Sequence, residues 1–208
     1  MIELQRKTLG PYQTNCYLLN DTLNQDAILI DVPAEAETIL AWIEPFTIKS
    51  ILLTHGHADH VGALQSVRES LKVPVRLHPV DGRDFDIMTE LPLEQGLSIP
   101  LGEAHLEVVH IPGHTQGNVA LKVIEGGSFL FAIVGDAIFP GGPGYTSSPQ
   151  ALRQSLDALE HTVFTWPDRI ELHPGHGAST MVGNEREAFE AFRATPLPPD
   201  LCGDVVWR

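Results

Sequence analysis

The densest chemistry in the chain lies in Thr54-His55-Gly56-His57-Ala58-Asp59-His60, where four side chains of metal-ligand type fall within six residues. Imidazole and carboxylate suit Zn²⁺ first, and also iron or manganese. The run Ser50-Ile51-Leu52-Leu53-Thr54 before it is apolar enough for a buried strand. Residues i and i+2 of a strand share a face, so His55 and His57 converge if the extended conformation continues past Thr54. Asp59 and His60 fall where a helix begins and can point back at a second ion nearby. Without a metal the segment would be a polar loop with Asp59 as helix cap. Desolvating three histidines and an aspartate together with no cation is unfavourable, which weighs against that reading.

Three later segments share one layout, a strand end followed by a ligand-type residue beside small residues. They are Ile111-Pro112-Gly113-His114-Thr115, Ile133-Val134-Gly135-Asp136 and Leu172-His173-Pro174-Gly175-His176-Gly177. Glycine lets backbone approach closely, and a rigid turn holds the side chain. A lone histidine after Pro-Gly is ordinarily a solvated loop residue. Three such strand ends downstream of the His-rich segment point instead to one shared site. Of the other histidines, His78, His105, His110 and His161 sit in no such motif, and His173 neighbours His176 in the third segment. Cys16 falls in an apolar strand and reads as core rather than nucleophile.

The elements that must position these residues follow from periodicity. Leu18-Leu19 and Ala27 to Ile30 read as antiparallel strands around a turn. Ala34 to Phe46 and Val61 to Leu71 carry apolar residues at helical spacing, and Val73 to Leu77 is a strand. His105 to Ile111 is a further strand. Asn118 to Ile124 and Ser128 to Val134 form a hairpin around Glu125-Gly126-Gly127. Pro149 to Thr162 is a helix capped by Ser148, Arg169 to Leu172 a short strand, and Glu185 to Phe192 a last helix. Two such halves would stack two sheets face to face with helices outside.

Composition narrows the function classes. The 208 residues are expected to form a single domain, 1–208, able to bury a core without disulfides. A net charge of −14 disfavours nucleic acid and anionic lipid as partners. No apolar run is long enough for a membrane span, and with no cationic start followed by an apolar block no signal peptide is expected. Two cysteines, Cys16 and Cys202, match no disulfide framework. A cytoplasmic protein acting on a small molecule is expected; subunit number leaves no mark in the sequence.

The series Thr-His-x-His-x-Asp-His, Pro-Gly-His-Thr, Gly-Asp and Pro-Gly-His-Gly resembles that of the metallo-β-lactamase superfamily. Its order is similar to the glyoxalase II-type (hydroxyacylglutathione hydrolase-like) metallohydrolases, from Asn15-Cys16-Tyr17 and Ile30-Asp31 to the last helix. The resemblance implies an α/β fold, a four-layer αββα sandwich with the site at one edge. It implies two divalent metal ions, with His55, His57 and His114 on one, Asp59, His60 and His176 on the other, and Asp136 bridging. Asp31 would support the site by accepting a ligand N–H. The implied activity is hydrolysis of a small thioester or ester by a metal-bridging hydroxide, with Asp59 and Asp136 as its catalytic carboxylates. A mononuclear iron persulfide dioxygenase and a lactonase share the scaffold and remain alternatives.

Two features depart from glyoxalase II. The chain ends 32 residues after His176, so the C-terminal helical domain is expected to be absent. The loop Phe139 to Ser147 carries Tyr145 where the family usually has Lys or Arg. Tyr145 is therefore the expected substrate contact, for an acyl group smaller and less charged than glutathione's.

Overall fold

Side chains along a strand point alternately to opposite faces, and here both faces of the central strands are apolar. The computed structural model describes residues 1–207. One sheet runs in chain order: β1 (Ile2–Leu9), β2 (Thr14–Asp21), β3 (Asp26–Ile30), β4 (Thr47–Leu52), β5 (Val75–Leu77) and β6 (Leu91–Pro92). The first two pairings are antiparallel and the rest parallel. The second sheet contains β7 (Ser98–Leu101), β8 (Ala104–His110), β9 (Val119–Glu125) and β10 (Ser128–Gly135). After the small hairpin β11 (Ile138–Phe139) and β12 (Gly142–Pro143), β13 (Glu171–Pro174) and β14 (Thr180–Met181) complete it, in the order β14-β13-β10-β9-β8-β7.

Three apolar clusters fill three interfaces, and this makes four layers. Tyr17, Leu19, Ile28, Ile30 and Leu52 of the first sheet meet Leu106, Val108, Leu121 and Ile133 of the second. The alternate residues Cys16, Leu18, Ala27 and Leu29 face outward. They pack under α1 (Ala36–Ile43) through Ile39 and Ile43, and under α3 (Leu64–Leu71) through Leu64 and Val67. Between these helices in the chain lies α2 (Ala58–Val61), and after β5 comes α4 (Pro79–Asp84). On the far side, Ala132 and Val134 pack under α5 (Pro149–His161) and α6 (Val182–Ala194). The αββα sandwich expected from the sequence is what the chain forms.

Local chemistry fixes several boundaries. The β9–β10 hairpin pairs Glu125 with Ser128 across two glycines with positive φ. Ser148 Oγ accepts a hydrogen bond from Ala151 N at 3.2 Å and Pro149 opens α5, as the sequence predicts. The helix expected over Val61 to Leu71 is instead two, α2 and α3. At their junction Gly62 lies so close to Pro33 that a Cβ there would stand 2.4 Å from the Pro33 carbonyl oxygen. Among the elements with no counterpart in the periodicity are β1, α4 and β7. β1 is an edge strand with mixed exposure, and α4 and β7 are too short to show a period.

The sheets converge on one edge. β3 and β4 are parallel, as are β10 and β13. Their C-terminal ends therefore emerge together, and Asp31, His55, Asp136 and His176 all follow such ends. Two antiparallel steps, β8 to β9 to β10, turn the end of β8 to the same edge, followed by His114.

Candidate metal centre

All seven ligand-type residues singled out in the sequence meet at this edge. His55 Nε2 lies 3.1 Å from His57 Nδ1, which lies 2.8 Å from His114 Nε2. His60 Nε2 lies 3.3 Å from His176 Nε2, and His176 Nε2 lies 3.1 Å from Asp59 Oδ2. Asp136 stands between the two groups. Its Oδ1 is 3.5 Å from His60 Nε2, and its Oδ2 is 3.6 Å from His114 Nε2 and 3.5 Å from His176 Nε2. His55, His57 and His114 form one set able to hold a metal, and Asp59, His60 and His176 another. His55, His60 and Asp136 form a third set spanning the gap.

The hydrogen bonds around the cluster assign its tautomers. His114 Nδ1 faces the Tyr145 carbonyl oxygen at 2.9 Å, and His176 Nδ1 faces that of Tyr12 at 3.0 Å. A carbonyl only accepts, so both Nδ1 atoms carry the proton. Asp31 Oδ2 accepts from His60 Nδ1 and from Thr54 Oγ1, each at 2.8 Å, and Asp31 Oδ1 accepts from Thr54 N at 2.8 Å. With its hydroxyl proton given to Asp31, Thr54 Oγ1 accepts from His55 Nδ1 at 3.1 Å. Four imidazoles are thus oriented with Nε2 toward the centre, and His57 presents Nδ1.

These donors fit a cation. The inward imidazole nitrogens and carboxylate oxygens stand 2.8–3.6 Å apart, and electron-pair donors at that spacing repel unless positive charge lies among them. Nitrogens on a tetrahedral zinc at about 2.0–2.1 Å are about 3.3 Å apart, near the spacing found here. Asp136 Oδ1 is buried with His60 Nε2 3.5 Å away and no well-formed hydrogen bond, a state that a metal would relieve.

Electrostatics point the same way. Burial and the neighbouring imidazoles push the His55 pKa well below its ordinary value, and burial and His114 lower that of His57. Both are neutral near pH 7, as ligands must be. His60 differs: burial opposes its charge, but Asp31 and Asp136 outweigh burial and hold its pKa at about 10. Burial would raise the Asp136 carboxyl, but His60, His114 and His176 bring it below the usual range. The metal-free protein thus keeps a proton on His60 that a metal must displace. Metal uptake between about pH 7 and 9 is expected to release about one proton per chain from His60. Affinity should rise about tenfold per pH unit until about pH 10. Calorimetry in buffers of different ionisation enthalpy reads this directly, and uptake without proton release would show that His60 is already neutral in the metal-free protein.

Asp81 is a part of the site that sequence reasoning missed. It is fully buried on α4. Its Oδ2 accepts from Gly56 N at 2.9 Å and Thr115 Oγ1 at 2.8 Å, and its Oδ1 accepts from Gly117 N at 2.6 Å. One carboxylate thereby ties the loop carrying His55 and His57 to the loop carrying His114. Phe85, just past α4, lays its ring edge-on to His57 with centroids 5.2 Å apart. The available signal was Pro79 directly after a short strand, a helix-start mark. Asp81→Asn puts an NH₂ group against one of these donors, and is expected to weaken metal binding by about 10–100-fold. Zinc retained after dialysis against a graded chelator would measure it, and unchanged retention would reduce Asp81 to a fold residue.

The remaining expectations resolve plainly. Cys16 is buried, with Sγ 3.0 Å from the Asp31 carbonyl oxygen. His173 turns away from the cluster, edge-on to Tyr17 and Phe131, and His78 stacks on His110. Tyr145 contributes its carbonyl to His114, and its side chain is 52% exposed.

Known proteins share this framework. The profile described as Metallo-beta-lactamase superfamily matches residues 9–163. The chain is 31% identical over 204 residues to the probable metallo-hydrolase YqgX of Bacillus subtilis, covering 88% of this chain and 94% of that one. It is 30% identical over 198 residues to the hydroxyacylglutathione hydrolase GloC of Haemophilus influenzae, covering 85% and 92%. The crystal structure of TTHA1623 in a di-iron-bound form aligns with a TM-score of 0.70 at 34% identity, covering 87% of this chain and 96% of that one. A profile spanning most of the chain, relatives matched along most of their length and a sandwich with its ligands at one edge lead to one assignment: the chain belongs to the metallo-β-lactamase superfamily.

Proposed function

We propose that this protein is a dinuclear metal-dependent hydrolase of a small thioester or ester, of glyoxalase II type. The observation that carries the reading is the pair of donor sets with Asp136 between them, a layout suited to two ions sharing one carboxylate. A bound pair of divalent ions lowers the pKa of water to about 7 and polarises a carbonyl. His55, His57 and His114 would hold one ion, Asp59, His60 and His176 the other. Zinc or iron fits both sets, and a di-iron form is described for the relative TTHA1623.

The chain's own residues supply orientation and charge. Thr14 Oγ1 donates to Asp59 Oδ2 at 3.3 Å and steadies a carboxylate that is only part-buried. Asp31 fixes His60, and the Tyr12 and Tyr145 carbonyls fix His176 and His114. The Cys16 thiol is buried, and burial raises its pKa well above the ordinary value, so it is a poor nucleophile. A thiolate leaves without protonation, which removes the need for a protein acid at that step. The likeness to hydroxyacylglutathione hydrolase GloC supports a thioester. Both cysteines are free, which suits the cytoplasm as site of action.

The test is turnover of S-D-lactoylglutathione and simple acyl thioesters by protein loaded with zinc or with iron, read as thiol release. Elemental analysis is run on the same samples. Thiol release with about two metals per chain is expected. One iron per chain with oxygen uptake on glutathione persulfide would replace the hydrolase by a dioxygenase. Turnover confined to lactones would move the substrate class.

A further inference from the structure

A cavity of about 220 Å³ opens directly beside Asp59, and nothing in the metal cluster accounts for it. Leu9, Pro11, Tyr12, Ala34 and Ala58 form most of its wall. Among the described residues Asp59 is the one charged side chain lining it, and no lysine or arginine among them does so. Just outside, Glu35 adds a second carboxylate, accepting from Gly10 N at 3.0 Å. Beyond the candidate metal ligand Asp59, the described wall offers no cationic side chain to pair with an anionic group and Glu35 disfavours one at the mouth, whereas an apolar group would leave water for an apolar wall.

Tyr12 is built into this cavity in an unusual way. Its turn is held at both ends: Gln13 N donates to the Gly10 carbonyl at 3.2 Å, and Gly10 and Gln13 both adopt positive φ. His176 Nδ1 donates to the Tyr12 carbonyl at 3.0 Å, so the backbone of this residue belongs to the candidate metal centre. Yet Tyr12 is 71% exposed at the rim of an apolar hole. An aromatic ring on a fixed backbone contributes contact area at little entropic cost when a ligand arrives.

We infer that this cavity takes an uncharged, apolar substituent attached next to the scissile carbonyl. Tyr12 would close over it and Ala34 would set its depth. The inference rests on the hydrolase reading and narrows it: this side of the substrate is a short hydrocarbon or aryl group rather than a charged peptide. At about 30 Å³ for each water-sized group, the space holds about seven heavy atoms. Two parts of the substrate carry such a substituent, the acyl chain and the alkyl part of the thiol, and the chemistry of the cavity is the same for both.

The experiment is a titration of zinc-loaded protein with straight-chain carboxylates from acetate to heptanoate and, separately, with straight-chain thiols of matching length. The methyl NMR signals of Leu9, Ala34 and Ala58 are followed. One series is expected to shift these methyls, with affinity rising about fourfold per methylene and levelling off near the filled volume. Carboxylates doing so identify the acyl chain as occupant, thiols the leaving group. Ala34→Leu, with metal content checked alongside, should flatten the dependence on length, and Tyr12→Ala should weaken every member about equally. Affinity independent of length, or shifts centred on the separate groove at Leu64 and Met88, would overturn the inference. If the titration holds but no thioester or ester is cleaved, the cavity stands and the hydrolase reading falls.

Discussion

Asp136→Ala is expected to lower kcat/KM by at least about a thousandfold, equivalent to about 4 kcal/mol of transition-state stabilisation. Asp136 is the one carboxylate within 3.6 Å of imidazoles from both donor sets. Removing it leaves Asp59 alone to offset the charge of two ions and leaves the His55, His57 and His114 set with no carboxylate, so both metal positions should lose affinity together. The readout is metal content beside rate. A variant retaining full metal and full activity would refute the bridging role, and loss of a single metal would restrict Asp136 to one set. Asp136→Asn separates charge from shape, because it keeps one acceptor oxygen. It should retain more metal than Asp136→Ala and still lose most of the rate.

Gly175→Ala is expected to cost about a hundredfold in rate while the fold survives. A Cβ at this position would lie 2.1 Å from Asp136 Oδ1 and 2.5 Å from His60 Cε1. These atoms belong to groups packed from several elements, so the added methyl must push Asp136 or His60 out of line. Overpacking of this kind destabilises by about 1–3 kcal/mol, which a folded sandwich can absorb. An unchanged circular dichroism spectrum with reduced rate and altered Co²⁺ absorption is the expected combination. An active variant with an unperturbed Co²⁺ spectrum would show that the backbone yields and the ligands do not. Gly144→Ala tests the same point from the facing loop, since its Cβ would stand 1.8 Å from the Asp136 carbonyl oxygen.

The identities of the seven clustered side chains could be read from the chain itself. Four sit in one short segment, and the other three follow strand ends in Pro-Gly or Gly contexts, so local spacing carried the signal. The sheets were legible for a related reason. Strands buried on both faces leave unbroken apolar runs such as Ala27 to Ile30 and Ile133-Val134, and α5 announces itself with Ser148 and Pro149. Tertiary structure alone decided what holds the ligands. The acceptors that set the tautomers of His114 and His176 are the backbone carbonyls of Tyr145 and Tyr12, and a backbone atom has no signature in sequence. Asp81 is one acidic residue among 27, and its role arises because α4 brings it against two loops 25 and 36 residues away along the chain. His173 shows the converse: it neighbours the ligand segment in sequence, yet the alternation of β13 turns it between Tyr17 and Phe131. Residue type is local and survives in the sequence. Direction and distance are set by strands meeting from distant parts of the chain, and only folding fixes those.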